Sequence, residues 1–445
     1  MKSIYFNMLL DRPWGGAFLV LFGMLLTVQI MLVAWLCLRL VCRPRNGSTW
    51  SRTPLSGDIN HPLVSIIVPA FNEEKVIAAT VDSLLTNDYT NMEIIVIDDG
   101  SQDDTRNIVN SIANVNAHVK LISLPHNSGK AHALNTGIAA ANSDYIVSVD
   151  ADTIVAPDFV RRIVAPLVCA EADAVAGNIK VGNRRCIKAK FQSLEYICSL
   201  NTTRTLQDAC RAITTLPGAG SAFRKSAVVA VGGFTSNTRA EDTELTLKLA
   251  QWNFRAVYQP EAVAYTEAPV TWRGLFRQRW RWIYGNMQCA GLHLKNIKGF
   301  NGMSALWFPL FVFDNFIKIP IWFAFVAFPF AFIADAIFLK LLHYYCACIS
   351  MNCIIAALTY CHERERKLEI LYLPIKWCVW PAFSLFPYAA AIWHYLGHRP
   401  IGWQKLERTA EVACVVAAPS ASADARYPSG PRNRENILSG LDLDN

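Results

Sequence analysis

Four groups of charged and aromatic residues follow one another along the chain, and each has a type and spacing that suits a defined chemistry. They are Asp98-Asp99, Asp150-Ala151-Asp152, Glu241-Asp242 and Gln278-Arg279-Trp280-Arg281-Trp282. Two carboxylates separated by one residue can coordinate a hard divalent cation whose other ligands are phosphate oxygens. A further carboxylate can remove a proton from a hydroxyl. The basic and aromatic group suits a diphosphate and the flat face of a sugar.

The first two groups each close an apolar run that is typical of a buried strand. These runs are Ile94–Ile97 and Tyr145–Val149. In open α/β sheets the carboxyl ends of the strands border the crevice that binds ligands. A carboxylate of the Asp98-Asp99 group is therefore a candidate to accept hydrogen bonds from a nucleobase or ribose, although an ordinary turn with a capping residue explains the same pattern. Lys130 is either a surface lysine at a helix start or a charge close to phosphates.

The other two groups also have a structural alternative. Glu241 and Asp242 precede a helical pattern, where acidic side chains stabilise the first turn, so capping competes with the role of general base. Gln278, Arg281 and Trp282 share one face if the segment is helical. The alternative is an interfacial amphipathic helix, anchored by the remaining basic and aromatic side chains: Trp272, Arg273, Arg277, Trp280 and Tyr284.

Strand and helix patterns alternate through the segment that carries these groups. The predicted strands are 64–69, 93–97, 119–124 and 145–150, and the predicted helices are 74–85, 103–113 and 130–141. Such alternation predicts an α/β fold with a mostly parallel sheet covered on both faces.

The composition points to a membrane. Hydrophobic residues make up 53% of the 445 residues and charged residues 17%, with a net charge of +7. Part of this charge lies beside an apolar run, which fits an anionic cytoplasmic membrane surface. We expect no nucleic-acid partner, because no run combines stacking aromatics with a nucleic-acid motif. The scatter of the 13 cysteines predicts reduced thiols.

The predicted organisation has six parts. Ala17–Leu38 has no charge over 22 residues, which predicts a transmembrane helix, whereas a signal peptide would have a shorter apolar region followed by a cleavage site. We expect a transmembrane segment (1–42), a linker (43–61), a catalytic domain (62–270), an interfacial helix region (271–300), transmembrane helices (301–397) and a cytoplasmic-like or disordered tail (398–445). The C-terminal spans are predicted near 304–331, 336–360 and 371–396.

Taken together, these motifs resemble those of processive, membrane-embedded family-two glycosyltransferases. The matching pieces are Val68-Pro-Ala-Phe-Asn-Glu73, Asp98-Asp-Gly-Ser101, Gly129-Lys-Ala131, Asp150-x-Asp152, Glu241-Asp242 and Gln278-x-x-Arg281-Trp282. Within this group the chain looks most similar to bacterial poly-β-1,6-N-acetylglucosamine synthases. It departs from the group in having Ala240 where threonine is usual, and only one predicted membrane helix before the catalytic domain.

The resemblance implies a GT-A-like nucleotide-sugar-binding domain flanked by transmembrane α-helices, with roles for particular residues. Ala70, Glu73 and Asp99 would border the uridine. Asp150 would contact the diphosphate, and Asp150 with Asp152 would hold Mg²⁺ or Mn²⁺. Lys130 would lie near the phosphates, and Asp242 would be the general base. Gln278 and Arg281 would hold the pyrophosphate, and Trp282 the acceptor sugar.

The implied reaction polymerises a UDP-sugar, with UDP-N-acetylglucosamine preferred, into a β-linked extracellular polysaccharide. The implied partners are the UDP-sugar donor, a growing glycan acceptor, the lipid bilayer and export or accessory subunits, and the implied place is the inner membrane with the catalytic domain in the cytoplasm. Synthesis of another glycan, of the hyaluronan, cellulose or chitin oligosaccharide type, and transfer of one sugar to a lipid stay open. A non-catalytic nucleotide-binding membrane protein is a more distant alternative.

One pair of charges lies in an apolar segment. Asp314 and Lys318 are four residues apart, which predicts that they share a helix face. Charged groups at that depth usually face a protein interior or water. We expect them to face the catalytic domain or a glycan path, and a structural ion pair is the alternative.

Overall fold

The computed structural model describes residues 61–317, 367–398 and 408–412, with short pieces between 346 and 357. The predicted transmembrane segment 1–42, all of the predicted linker 43–61 except its last residue, and Lys318 lie outside the described residues, as do parts of the predicted spans 304–331 and 336–360 and most of the predicted tail 398–445. Within the described part, no helix combines the length and the hydropathy that crossing a bilayer requires. The predicted transmembrane spans therefore stay predictions.

The centre of the fold is one eight-stranded sheet. Its strands are β1 (Val64–Ala70), β2 (Met92–Asp98), β3 (Val119–Ser123), β4 (Tyr145–Ser148), β5 (Ile154–Val155), β6 (Ala174–Val181), β7 (Ser221–Arg224) and β8 (Ala256–Thr266). Their order in space is β3-β2-β1-β4-β7-β6-β8-β5. The strands β3, β2, β1 and β4 pair in parallel, β7 is antiparallel to both neighbours, and β6 pairs in parallel with β8. The predicted α/β fold with a mostly parallel sheet is confirmed.

Helices cover the sheet and extend beyond it. They are α1 (Ile77–Leu85), α2 (Thr105–Val115), α3 (Lys130–Ala140), α4 (Phe159–Val168), α5 (Ile187–Glu195), α6 (Thr202–Ala209), α7 (Lys225–Ala230), α8 (Glu241–Gln251), α9 (Trp272–Leu294), α10 (Gly302–Phe316) and α11 (Leu373–Leu396). A π-helix, Tyr196–Asn201, joins α5 to α6, and 3₁₀ turns occupy Ile297–Gly299 and Lys367–Tyr372.

Both faces of the sheet are buried, as their sequence pattern requires. Every residue of β1 and of β2 is buried, and the two runs are rich in Ile and Val. Alternate residues enter different cores: Ile66 and Ile94 belong to one apolar cluster, and Ile67 and Ile95 to the other. The carboxyl ends of these buried strands therefore form the framework from which the site loops extend.

The first helix begins three residues later than the sequence pattern indicates, at Ile77 rather than Glu74. The backbone after β1 is held by the loop after β2. Asn72 has a positive φ of 55°, its N–H donates to Ser101 Oγ (2.9 Å), and its Oδ1 accepts from Gln102 N (2.7 Å). These contacts join the two loops that border the crevice.

Candidate active site

The crevice at the carboxyl ends of β1, β2 and β4 brings several of the predicted residues together. Ala70 ends β1, and its carbonyl accepts a hydrogen bond from Asp99 N at 2.8 Å. Asp150 lies two residues beyond β4. Parallel strands place these ends at the same edge of the sheet, which is the edge where α/β folds bind ligands.

Asp99 positions the loop that precedes α3. One of its carboxylate oxygens accepts from Ser128 N (2.7 Å) and the other from Gly129 N (2.9 Å). Burial raises the pKa of Asp99, and these two hydrogen bonds oppose the rise. Gly129 is the N-cap of α3 and Lys130 is its first residue. Asp99 therefore sets the position of Lys130, and its predicted contact with uridine stays a prediction.

Lys130 joins two of the predicted acidic groups. Its Nζ lies 2.6 Å from Asp150 Oδ1 and 3.4 Å from Glu241 Oε1. Burial lowers the pKa of Lys130, but Asp150 and Glu241 raise it by more, so the amine stays charged. A Cβ added to Gly218 would lie 2.7 Å from Lys130 Nζ, so any side chain there would displace this cation. The loop at Gly218 is a part of the site that the sequence did not indicate.

Asp242 lies at the start of α8 and has the electrostatics of a base that works near neutral pH. Burial, and then the neighbouring Glu241, raise its pKa from 3.8 to about 6, while Lys130 opposes the shift. A base is most effective when its pKa lies close to the working pH. The structure therefore gives Asp242 the property that its predicted role needs.

Asp152 has a partner that the sequence did not predict. Its Oδ2 lies 2.6 Å from Arg408 NH1, and the same guanidinium lies 3.3 Å from Glu73 Oε2. Burial raises the pKa of Asp152 and Arg408 opposes the rise. Thr409 N donates to Glu267 Oε1 at 2.7 Å, which holds this segment against the domain. Arg408 is 256 residues from Asp152 in sequence, inside the predicted tail, and no local pattern marks it.

The predicted diphosphate residue Gln278 lies on α9 and is 7% exposed. Its Oε1 accepts a hydrogen bond from Gln192 Nε2 at 3.0 Å. The Nε2 group of the same amide carries two N–H donors, which are of the type that binds phosphate oxygens. Gln192 also donates to Tyr196 in the π-helix, at 3.3 Å. Arg281 is half-buried and lies on the same helix face, one turn after Gln278.

Trp282 is half-buried and held by two neighbours. The guanidinium of Arg279 lies 4.8 Å from its ring centroid, and the ring of Tyr196 lies at 6.3 Å. Arg279 is itself fixed by a paired contact with Glu195, in which NH1 donates to Oε1 at 2.7 Å. One face of the indole is therefore covered by a cation, and only the remaining surface can meet a sugar.

The carboxylates Asp150 and Asp152 suit a divalent cation whose remaining ligands come from the substrate. Their oxygens are hard donors, and Mg²⁺ is usually held by one or two carboxylates together with phosphates. Among the described residues, no group of three or more His, Cys, Asp or Glu side chains could hold a metal by itself. The donor set thus suits a metal that binds with a diphosphate.

Residues 65–232 match the model of the family described as Glycosyl transferase family 2. These residues are thus similar to a family-two glycosyltransferase domain. The chain is 33% identical over 265 residues to the poly-beta-1,6-N-acetyl-D-glucosamine synthase of Staphylococcus aureus (strain COL), which covers 58% of this chain and 61% of that protein. The Staphylococcus epidermidis synthase is 33% identical over 229 residues, covering 50% and 54%. The chain thus spans about six-tenths or less of the length of these relatives.

A solved structure shows the same glycosyltransferase fold. It is a mannosyltransferase from Pyrobaculum calidifontis in complex with GDP-mannose and Mn²⁺, with a TM-score of 0.54 and 22% identity. The match covers 84% of this chain and 100% of that one. The GT-A-like α/β fold of the glycosyltransferase domain is therefore confirmed.

Proposed function

We propose that the chain transfers a sugar from a UDP-sugar to the non-reducing end of a growing glycan, with inversion at the anomeric carbon. The observation that carries this proposal is the cluster in which Lys130 joins Asp150 to Glu241 beside Asp242. Such a cluster sets the group that activates the acceptor next to the groups that face the donor diphosphate. Positioning of this kind removes much of the entropic barrier to a reaction between two substrates.

Different residues act on the acceptor and on the donor. Asp242 takes the proton of the acceptor hydroxyl as its oxygen forms a bond to the anomeric carbon of the donor sugar. The bond from that carbon to the β-phosphate oxygen breaks on the opposite face, and the leaving group is UDP. Gln278 and Arg281 donate to the phosphate oxygens, where negative charge grows. Trp282 supports the acceptor sugar.

Asp150 and Asp152 would hold the divalent metal. Bound there, Mg²⁺ or Mn²⁺ would neutralise charge on the diphosphate. This assignment is supported by the donor chemistry of the two carboxylates and by the Mn²⁺ in the mannosyltransferase structure. Arg408 now pairs with Asp152, so its guanidinium must shift for that carboxylate to serve the metal fully.

UDP-N-acetylglucosamine is the proposed donor, and a β-linked extracellular polysaccharide is the proposed product. The support is the name of the Staphylococcus relatives, poly-beta-1,6-N-acetyl-D-glucosamine synthase. We also propose a multi-pass location in the inner membrane with the catalytic domain in the cytoplasm. This part is supported by the charge-free run at 17–38 and its basic flank. The partners would be the donor, the glycan, the bilayer, and accessory or export subunits.

Incubation of membranes that contain the protein with separately labelled UDP-sugars tests this proposal. We expect incorporation from UDP-N-acetylglucosamine into a polymer whose linkage is read by NMR. Asp242→Asn should abolish it, whereas Asp144→Asn, the same change at an exposed aspartate of the domain, should not. Incorporation from another UDP-sugar, or into a lipid fraction as a single sugar, would reassign the substrate. No transfer from any UDP-sugar would contradict the proposed reaction.

A further inference from the structure

Gly285 of α9 packs directly on the backbone that leads into the catalytic base. A Cβ at this position would lie 2.7 Å from Ala240 N, 2.7 Å from the carbonyl carbon of Arg239 and 2.8 Å from Ala240 Cβ. Real Cβ atoms essentially never approach other atoms this closely. The obstructing atoms are mostly backbone, which cannot swing aside as a flexible side chain can. The absence of a side chain at 285 therefore sets how closely α9 approaches residues 239–240.

Two further side chains of α9 hold the same peptide units. Gln288 Oε1 accepts a hydrogen bond from Arg239 N at 3.0 Å, and Cys289 Sγ donates to Ala240 O at 3.5 Å. Ala240 is the N-cap residue of α8, and its carbonyl also accepts from Glu244 N at 3.0 Å. Asp242 follows two residues later, in the first turn of α8. Movement of the peptide units at 239–240 thus moves the carboxylate.

The same face of α9 carries the predicted substrate residues. Positions three and four apart on a helix are neighbours on its surface. Gly285 is therefore next to both Arg281 and Trp282, and one turn of about 5.4 Å separates them along the axis. Gln288 continues this face, and Gln278 begins it. A single rigid helix bears the groups for diphosphate and acceptor sugar together with the contact that locates the base.

We propose that Gly285 is a positioning residue, which fixes the distance from the Asp242 carboxylate to the substrates bound by the 278–282 face of α9. The proposal rests on the proposed function and deepens it. A displacement of a reacting group by about 1 Å can lower a rate about 10²-fold. A glycine that served helix packing alone would affect folding and would leave turnover of the folded enzyme intact.

Gly285→Ala and Gly291→Ala form a matched pair on α9. Both raise helix propensity by the same change and both introduce a close contact, but a Cβ at 291 meets the side chain of Tyr395 on α11 rather than the backbone at 239–240. We expect Gly285→Ala to lower kcat about 10²-fold, with UDP affinity within about twofold of wild type, and to shift the acidic limb of the pH profile of kcat. Gly291→Ala should keep turnover within about twofold.

Gln288→Met gives a second readout if Gly285→Ala folds poorly. It keeps the side-chain volume and removes the acceptor for Arg239 N, so no atom is forced into the interface. We expect a loss of kcat of about five- to tenfold with unchanged UDP affinity. Equal turnover in Gly285→Ala and Gly291→Ala, parallel loss of kcat and UDP affinity, or wild-type kcat in Gln288→Met would overturn the positioning role. A wild-type enzyme that transfers no sugar would instead overturn the proposed function itself, and an active Asp242→Asn variant would remove Asp242 from the proposed mechanism.

Discussion

Arg408 NH1 lies 2.6 Å from Asp152 Oδ2, so a cation from the C-terminal part of the chain pairs with a carboxylate predicted to bind metal. Both side chains are largely buried, with 19% and 6% of their surface exposed. The same guanidinium contacts both acidic side chains, Asp152 and Glu73, so it supplies positive charge to the two carboxylates. It therefore links the stability of the site to the C-terminal segment.

Arg408→Gln should lower the free energy of unfolding, and divalent cations should partly restore it. Removal of one partner of a buried ion pair typically costs about 3–5 kcal/mol, because the other charge is left unpaired. We expect a large fall in Tm by differential scanning fluorimetry, partly reversed by millimolar Mg²⁺ or Mn²⁺ that binds the freed carboxylates. Arg161→Gln, which breaks the more exposed pair with Asp88, should cost at most about 1 kcal/mol. Equal Tm values for the two variants, with no extra effect of metal, would contradict this.

Asp242 should set the acidic limb of the activity profile. Its carboxylate accepts a proton only when it is deprotonated, and its pKa is raised to about 6. We therefore expect kcat/KM, which reports the pKa values of the free enzyme, to fall about tenfold per pH unit below about pH 6 and to level off above it. Initial rates of UDP release at subsaturating substrate, measured from pH 5 to 8, give this profile. An acidic limb near pH 4 would show that burial and Glu241 do not act on the base in this way.

Asp242→Asn should stop turnover and raise stability at neutral pH. The folded-state pKa lies above the unfolded value, so between about pH 4 and 6 the folded state binds more protons. The free energy of unfolding then falls as pH rises through this window. Above it, the destabilisation caused by the charged Asp242 carboxylate is fully present. A neutral amide removes a cost on the order of 1–3 kcal/mol at pH 8. We expect kcat to fall about 10²-fold or more and Tm at pH 8 to rise by about 2–8 °C.

Thermal unfolding at pH 8 and at pH 4 separates the two effects of this variant. The gain in Tm over wild type should disappear at pH 4, where Asp242 is protonated in the folded protein. A variant that is less stable than wild type at pH 8 would refute the electrostatic argument. A variant with normal turnover would remove Asp242 from the mechanism.

The elements that carry the site follow from local sequence patterns, whereas some of its contacts do not. The predicted strand 119–124 and helix 130–141 agree with β3 and α3 to one residue at their ends, because apolar periodicity specifies both. The α9 helix of Gln278 was likewise indicated by spacing. Arg408 gave no such signal, because its partners Asp152 and Glu73 lie more than 250 residues earlier and the pairing depends on tertiary approach alone. Gly218 and Gly285 matter because they have no side chain. The requirement for glycine at each position becomes visible only from the neighbouring atoms in the folded structure.

Asp152→Asn should weaken the metal-dependent part of donor binding. An amide oxygen is a poorer ligand for a hard cation than a carboxylate. We expect the affinity for UDP in the presence of Mg²⁺ or Mn²⁺, measured by isothermal titration calorimetry, to fall about tenfold or more, and EDTA to abolish activity in wild type. Asp144→Asn should bind UDP as wild type does. Full activity in EDTA would mean that Asp150 and Asp152 act through hydrogen bonds.

Trp282→Ala should impair use of the acceptor more than binding of the donor. Arg279 covers one side of the indole and Tyr196 lies beside it, so the ring is held in place. Trp282 is half-buried, and its exposed part is the surface that a sugar can contact. The alanine variant loses the ring on which a sugar can stack and the contact that orients Arg279. We expect polymer formation to fall about tenfold or more, with UDP affinity within about twofold. Trp252→Ala removes a tryptophan that is 62% exposed at the far end of α8 and should leave polymer formation unchanged. Labelled polymer yield and UDP titration on the same preparations measure both quantities. If UDP affinity fell as much as polymer yield, Trp282 would belong to the donor side of the site or to the packing of α9.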